Sequence, residues 1–429
     1  MQTTSAIAPS IHRKNYFHLY GDIFWWGILA GSMIAFLGIY MARLGASSFQ
    51  LSVLTAGPAV INLLISLPAG KWLEKHSFIR VTFLTSIYHR LGYVLILLGM
   101  IFFADHLQTP LILWITVVMS VPGTILMIAF NAMFAEIVSP EMRATVVGKR
   151  NAFLAVSMTT TSLISGQLLD QIISPLNYQI VFGIGILGAI VSSYHLGKIL
   201  PLTGPKPQMQ NGKPILDHAR PGRLSLPFFT RYIPGIRFLT RGVTMLRPDL
   251  LRSDFGGFLG AMFFFYASLN LVVPLFPSYQ VDKMGLSDSV ISIGSAFFQI
   301  AVFITSMRLG AVSDRFGHHR VMVYSSLGFA AFPLFIGFLP NIPSYMAGAT
   351  IGGIGWGFLG GAIANRLMER VPENDRPAHM ALFNITLNLG VLIGSLLGPV
   401  VGDFTGLRTA LLIGAGLRLL SGLVFWRWG

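Results

Sequence analysis

The sequence predicts an all-α membrane protein whose twelve transmembrane helices form two pseudo-symmetric six-helix bundles. Three observations predict it. The 429-residue chain is 53% hydrophobic and only 11% charged, against about 25% charged residues in an ordinary soluble domain. Apolar segments of about 20 residues, the length that crosses a hydrocarbon core of about 30 Å, recur twelve times. The second half of the chain also repeats polar landmarks of the first at constant spacing.

In chain order the spans are expected at about 20–42, 50–70, 80–103, 110–135, 150–172 and 179–200 in the first half. Those of the second half are expected at about 255–280, 288–312, 320–339, 344–366, 379–402 and 408–427. Residues 1–19 are polar, and the segment after them exceeds the roughly 7–15 residues of a signal-peptide core, so it reads as a retained first span. Asp22 in "YGDIFWWG" falls at the start of that span, a position that favours a carboxylate. "PNIP" at 340–343 leaves room for nothing but a tight turn between the ninth and tenth spans.

Charge placement sets the expected orientation. Of the 30 Lys and Arg, 24 fall on the side shared by the two termini and residues 201–253, and three, Arg43, Lys283 and Arg408, fall on the other side. The remaining three, Arg90, Arg308 and Arg418, lie within spans. By the positive-inside rule both termini are expected to be cytoplasmic, and the short tails fit a multi-pass protein of the plasma (inner) membrane. The same rule accounts for the net charge of +14 without nucleic acid as a partner. The chain has no cysteine, which excludes disulfides and thiolate metal sites. No cofactor is expected. His18 and Asp22, and the pair His318–His319, lack partners at metal-ligand spacing, so neither a metal site nor an enzyme is expected.

The two halves align. At a shift of 240, Gly45, Ser47, Gly70 and Arg80 meet Gly285, Ser287, Gly310 and Arg320, while Glu74 and Lys75 meet Asp314 and Arg315. At a shift of 233, Glu136, Arg143, Asn151 and Asp170 meet Glu369, Arg376, Asn384 and Asp403. This divides the chain into a first bundle at 1–200, a basic, proline-rich cytoplasmic linker at 201–253, and a second bundle at 254–429. Within the linker, Ile236 to Leu246 reads either as a short helix on the inner leaflet, with Arg237 and Arg241 four apart, or as part of a solvated tether.

"GAVSDRFGHHR" at 310–320 concentrates charge and glycine in an otherwise apolar chain. Gly310 permits close helix approach, Gly317 suits a turn, and Asp314 can accept hydrogen bonds from arginine. The stretch resembles the signature loop of the major facilitator superfamily, through Gly310, Asp314, Arg315, Gly317 and Arg320 and their place between the second and third helices of a half. The copy "GKWLEKHSFIR" at 70–80 keeps Gly70, Glu74 and Lys75 but has Ser77 where the glycine would be. The resemblance implies a cytoplasmic latch between the halves, made and broken in each cycle, to which Arg143 and Arg376 are also assigned.

Candidate substrate contacts follow from polarity within spans. Arg90 lies ten residues, about 15 Å of helix, beyond Arg80 and hence near midplane. A charge there is costly, and anion binding is one reading. The superfamily's third and twelfth helices are outer scaffolding, which favours instead a partner such as Asp22 or a carbonyl for Arg90 and Arg418. The cavity-lining helices of the superfamily carry Asn62, Asn131, Asn270, Gln299, Asn365 and Asn388 here, with Thr159, Thr160 and Ser165 beside them. Asp22 is the candidate coupling residue for proton-driven transport. The fourth span has no basic residue, unlike the superfamily's proton-linked drug antiporters, and their G-x-x-x-G-P-x-x-G run appears in the eleventh span as Gly394, Gly398, Pro399 and Gly402.

The expected function is secondary active transport of a small organic solute by alternating access, with proton coupling, efflux antiport and organic-anion carriage as open variants. The alternative is a lipid flippase or a membrane-protein assembly factor that moves no solute. The expected partners are a small-molecule substrate, H+ where coupled, and the lipid bilayer, with the protein a monomer.

Overall fold

The computed structural model describes the backbone of residues 7–202, 247–372 and 375–429. Twelve helices in it are long and apolar enough to cross a membrane. They are α1 (Ile11–Arg43), α2 (Ser48–Leu73), α3 (Phe78–Phe102), α4 (Asp105–Ile137), α5 (Pro140–Gln171) and α6 (Leu176–Gly197) in the first bundle. The second bundle holds α7 (Asp254–Lys283), α8 (Asp288–Phe316), α9 (His318–Phe338), α10 (Ile342–Arg370), α11 (Ala378–Thr405) and α12 (Leu407–Trp428). No strand occurs among the described residues. The Ile236–Leu246 segment lies outside them.

The helix starts follow from capping. Ser47 caps α2 by accepting from the Gln50 N–H, and the Gln50 side chain returns a bond to the Ser47 N–H, which makes a capping box. Ser287 likewise caps α8, accepting from the Val290 N–H. The turns ahead of these two caps contain Gly45 at φ +78° and Gly285 at φ +61°, a conformation L-residues avoid. The pairs related by the 240-residue shift thus occupy equivalent places in the two bundles. The turn after α8 uses Gly317 at φ +79°. Its counterpart Ser77 instead takes extended backbone and caps α3 by accepting from the Arg80 N–H. In the turn at 340–343, the Asn341 side chain accepts from the Ser344 N–H and Pro343 sits in the first turn of α10.

Two helices begin earlier than their apolar stretches. The fifth starts at Pro140 rather than near 150, because proline is accommodated in a first helical turn, where its missing N–H has no intrahelical role. The first is helical well before residue 20. Asp22 is therefore eleven residues, about 16 Å, beyond Ile11 within α1, not at a helix start. An acid at that depth is not explained by the positive end of the helix dipole, which reaches only the first turn.

Two helices are irregular where the bundles meet. α1 passes through a π-turn at Ala30–Ile34. α7 contains a 3-10 turn at Val273–Leu275 and a π-turn at Tyr279–Lys283 around Pro274 and Pro277. Proline removes helix hydrogen bonds and relaxes the ladder at such points.

With twelve antiparallel crossings, both chain ends and both described ends of the linker lie at one end of the bundle, the linker face; the opposite end is the far face. Packing differs between them. One buried core, including Leu37, Tyr40, Leu271, Leu275, Tyr279 and Ile291, crosses between bundles toward the far face. Toward the linker face the cores separate. Leu19, Met133, Val146 and Leu196 belong to the first bundle alone, and Phe258, Val321, Leu367 and Phe425 to the second alone. The outside is apolar, with Trp114 71% exposed, Val118 65% and Leu423 65%. This is the surface of a protein solvated by lipid rather than water.

Candidate functional site

Two adjoining cavities lie between the bundles. The first, about 580 Å³, is walled by Leu37, Leu54, Thr55, Asn62, His89 and Tyr93, with Phe276 and Gln280 across from them. The second, about 360 Å³, is walled by Thr159, Ser162, Gln299, Phe329, Tyr345 and Arg418. Ala35, Val273, Phe276, Gln280 and Ser295 border both, so the irregular segments of α1 and α7 form the shared rim.

Of the sequence candidates, Asn62 lines the first cavity and accepts from the Thr124 hydroxyl at 2.5 Å. Gln299 lines the second, where its Nε2 is 3.5 Å from Met158 Sδ. The others belong to neither cavity. Asn270 is buried and donates to Tyr266 O at 2.9 Å. Asn388 is buried and donates to Asn384 O at 2.8 Å. Asn365 is exposed, 3.4 Å from the His318 ring. Asn131 is exposed. Thr159 and Ser162 reach the second cavity, whereas Thr160 is exposed and Ser165 is buried without a hydrogen-bond partner.

Arg90 also lines neither cavity. Neighbouring positions on a helix point about 100° apart, so His89 faces the first cavity while Arg90 turns into the first bundle. There a buried charge cluster forms around Asp22. Arg90 Nη2 is 3.5 Å from Asp22 Oδ1, and Arg150 Nη2 is 3.3 Å from Oδ2. Ser192 Oγ donates to Asp22 Oδ1 at 2.6 Å and accepts from Arg90 Nη2 at 2.7 Å. Arg90 Nη1 donates to Ser193 Oγ. Arg150 Nη1 donates to Leu19 O at 2.6 Å, and its guanidinium lies over the Phe130 ring. The cluster ties α1, α3, α5 and α6 together at a site where Asp22 is 4% exposed.

The expectation that the third and twelfth helices only scaffold needs correction. His89 and Tyr93 of α3 line the first cavity, and Arg418 of α12 lines the second. Helices apolar on every side give no sequence cue to which face meets a cavity.

On the linker face, among the described residues, no ion pair joins the signature residues of one bundle to those of the other. Asp314, Arg315, Arg320, Glu74 and Lys75 are exposed. Gly70 and Gly310 have nothing within 4 Å of the place a Cβ would occupy. Arg143 stays within its own bundle, donating to Ala135 O at 2.9 Å and Val138 O at 3.3 Å at the end of α4, where a cation meets the negative end of the helix. Arg376 opens its helix on the same face; its side chain lies outside the described residues.

Contacts between the bundles concentrate on the far face, in a network the sequence reading did not single out. Arg43 Nη2 pairs with Asp288 Oδ2 at 3.0 Å and donates to Leu286 O at 3.2 Å. The Tyr178 hydroxyl accepts from Arg43 Nε at 3.1 Å and donates to Asp288 Oδ1 at 3.1 Å. Asp170 accepts from the backbone N–H groups of Asp288 and Ser289 at 2.9 and 3.1 Å, capping α8 from the other bundle. The available signal was the repeat: Arg43 and Lys283 meet at the 240-residue shift, and Asp170 was already paired with Asp403. Along α2 and α11 the bundles also touch through Thr55 and Ser395 at 2.8 Å and through Asn384 and Ser66 at 3.3 Å.

The sequence profile of the Major Facilitator Superfamily matches residues 24–246 and 258–429. The chain belongs to the major facilitator superfamily. That superfamily is one of multi-pass membrane transport proteins, in keeping with the twelve apolar helices. It is 24% identical over 165 residues to multidrug resistance protein 2 of Bacillus subtilis, covering 38% of this chain and 41% of that one. It is 23% identical over 284 residues to the uncharacterized MFS-type transporter YfiU of the same organism, covering 64% of this chain and 46% of that one. The matched segments thus span under half the length of either relative. Among solved structures, a point mutant of the nucleoside transporter NupG superposes with a TM-score of 0.70 at 14% identity, covering 96% of this chain and 99% of that one. The human organic anion transporter MFSD10 superposes with a TM-score of 0.62 at 12% identity, covering 96% and 99%. At such identities the superfamily fold is what is shared.

Proposed function

We propose that this superfamily member is a secondary active transporter of a small organic solute, held in a state sealed at the far face. One observation carries the reading: the cavities between the bundles are roofed toward the far face by a core common to both bundles, while the linker-face cores belong to one bundle each. Two bundles joined at one end of a shared crevice can exchange which end is joined, and a solute in the crevice then changes sides.

In this reading the far face is outside and the linker face cytoplasmic, in agreement with the basic residues gathered on the latter, and the membrane is the plasma (inner) membrane. The units that rock are residues 1–200 and 254–429, joined by the linker 201–253. Arg43, Asp170, Tyr178 and Asp288 hold the outside closed; Asp314 and Arg315, with Glu74 and Lys75, form the opposing latch when the cytoplasmic side closes. Asp22 couples transport to protons only if its pairs with Arg90 and Arg150 part during the cycle. The protein acts as a monomer, since the crevice is complete within one chain.

Asp314→Asn tests the mechanism in proteoliposomes. Solute counterflow should fall at least about tenfold, as expected when a charge-assisted hydrogen bond worth about 1.5–3 kcal/mol is lost from one state, with insertion and melting temperature unchanged. Unaltered counterflow would refute the latch. Lipid scrambling without exchange of any solute would favour a flippase.

A further inference from the structure

Arg418, in the middle of α12, is the largest fully buried side chain among the described residues, at 1% exposure. Its Nη2 donates to Leu269 O at 3.0 Å, and the guanidinium lies 4.7 Å over the Phe329 ring. Its Nε is buried without any hydrogen-bond partner. No carboxylate pairs with it among the described residues, in contrast to three other buried or half-buried guanidinium groups. Arg90 and Arg150 share Asp22, and Arg43 has Asp288. A guanidinium has five N–H donors, and a charge taken out of water is costly unless something offsets it.

The surroundings of Arg418 show what that could be. It borders the second cavity, whose volume of about 360 Å³ falls within the usual range for a small-molecule site. Polar groups there are also under-used. Ser162 Oγ is buried without a partner. Gln299 has one long contact to a methionine sulfur, and Gln280 donates to the Tyr345 hydroxyl at 3.4 Å. Beside Thr159 and Ser295, the remaining wall is mostly apolar and aromatic, with Phe298, Phe329 and Phe332. One cation, uncommitted amide and hydroxyl groups, and aromatic rings make a cleft for an amphipathic anion.

We propose that the second cavity binds the carboxylate of an organic acid, with Arg418 as the charge-reading residue and the phenylalanines holding the apolar body. Gln299 and Ser162 complete the hydrogen bonding. This names the substrate class within the transport reading above and rests on it. A carboxylate geometry matches the planar fork of arginine, which can give two parallel bonds. The ligand supplies the counter-charge that the fold itself omits. A soluble aromatic acid and a fatty acid from the bilayer share this chemistry.

The test is binding by the purified full chain in nanodiscs, read as ligand-induced thermal shift and by calorimetry. Three acid–amide pairs serve as probes: benzoate with benzamide, 2-naphthoate with 2-naphthamide, and decanoate with decanamide. At least one acid should bind about 10–100-fold more tightly than its amide, the gain expected of a charge-assisted bond. A preference limited to decanoate would identify a lipid-derived acid, and one for the aromatic acids a soluble solute. Arg418→Met should lose the acid preference, Arg418→Lys should retain part of it, and Gln299→Leu should weaken acid binding. Equal affinity for acid and amide in every pair overturns the proposal, and this comparison on the unmodified chain stands even if Arg418→Met fails to fold. An acid preference that survives in folded Arg418→Met overturns it as well. The transport reading fails separately. Acid binding without exchange across proteoliposomes removes transport and keeps the site; exchange of solutes without acid preference does the reverse.

Discussion

Asp22 shows how a single buried carboxylate can organise a bundle. Two guanidinium groups and a serine hydroxyl converge on it from three other helices. Replacing it with asparagine would leave Arg90 and Arg150 buried around a neutral group. Removing one partner of a buried ion pair typically costs about 3–5 kcal/mol, mostly because the other charge is stranded. Asp22→Asn should therefore lower the melting temperature of the protein in nanodiscs as well as alter transport. The double variant Asp22→Asn/Arg150→Gln should lose less stability than the sum of its parts. Additive losses would show that the two groups do not act as a pair. The residue-level legibility was uneven. That Asp22 and Arg90 stand within apolar segments is visible in sequence. That Arg150, the first residue of the expected fifth span, completes the cluster is not, because α5 extends ten residues beyond its apolar stretch.

At the scale of the element, glycine decides how closely helices approach. A Cβ on Gly394 would lie 2.2 Å from Ala267 O, and one on Gly398 would lie 2.1 Å from Leu271 O, so α11 packs backbone to backbone against α7. The run of Gly394, Gly398, Pro399 and Gly402 is visible in the sequence, whereas the helix it packs against is not. Gly398→Val should cost about 1–3 kcal/mol through overpacking, measured as a lower unfolding temperature, whereas the same change at Gly416, which has open space at its Cβ position, should cost much less. Equal effects would show that close α7–α11 packing does not matter. The far-face contacts are also an element-scale device, since Asp170 caps a helix of the other bundle. Asp288→Asn weakens both the Arg43 pair and the Tyr178 bond. The native chain has no cysteine, so a thiol introduced as Leu54→Cys on the first cavity wall is the sole target for a maleimide reagent. In the Asp288→Asn background an impermeant maleimide supplied at the far face should label it several-fold faster. An unchanged rate would mean that these contacts do not hold that face shut.

For the whole molecule, the central expectation is that one end of the crevice must part before solute can leave there. Thr55 Oγ1 and Ser395 Oγ, on opposite bundles, are 2.8 Å apart. In Thr55→Cys/Ser395→Cys the two sulfurs should meet at disulfide distance, with S–S of about 2.0 Å. Oxidation should then stop transport, and reduction should restore it. Transport that continues with the cross-link complete would exclude rocking about this crevice. The two-bundle architecture was legible for a simple reason. A repeated segment keeps its turns and caps, so Gly45, Ser47, Gly285 and Ser287 reappear at constant spacing and in equivalent conformations.

Sequence alone determined the helix count, the pairing of the halves, the turn glycines and the basic face, because each depends on length, composition or spacing along one dimension. It could name charges inside spans but not their partners. Whether Arg90 looks into a cavity or at Asp22, and whether Arg418 scaffolds or lines a wall, depend on how each helix is rotated about its own axis. A helix apolar on every side carries no mark of that rotation. Only packing against its neighbours sets it, and so the tertiary structure decided which polar groups meet each other and which are left facing the crevice.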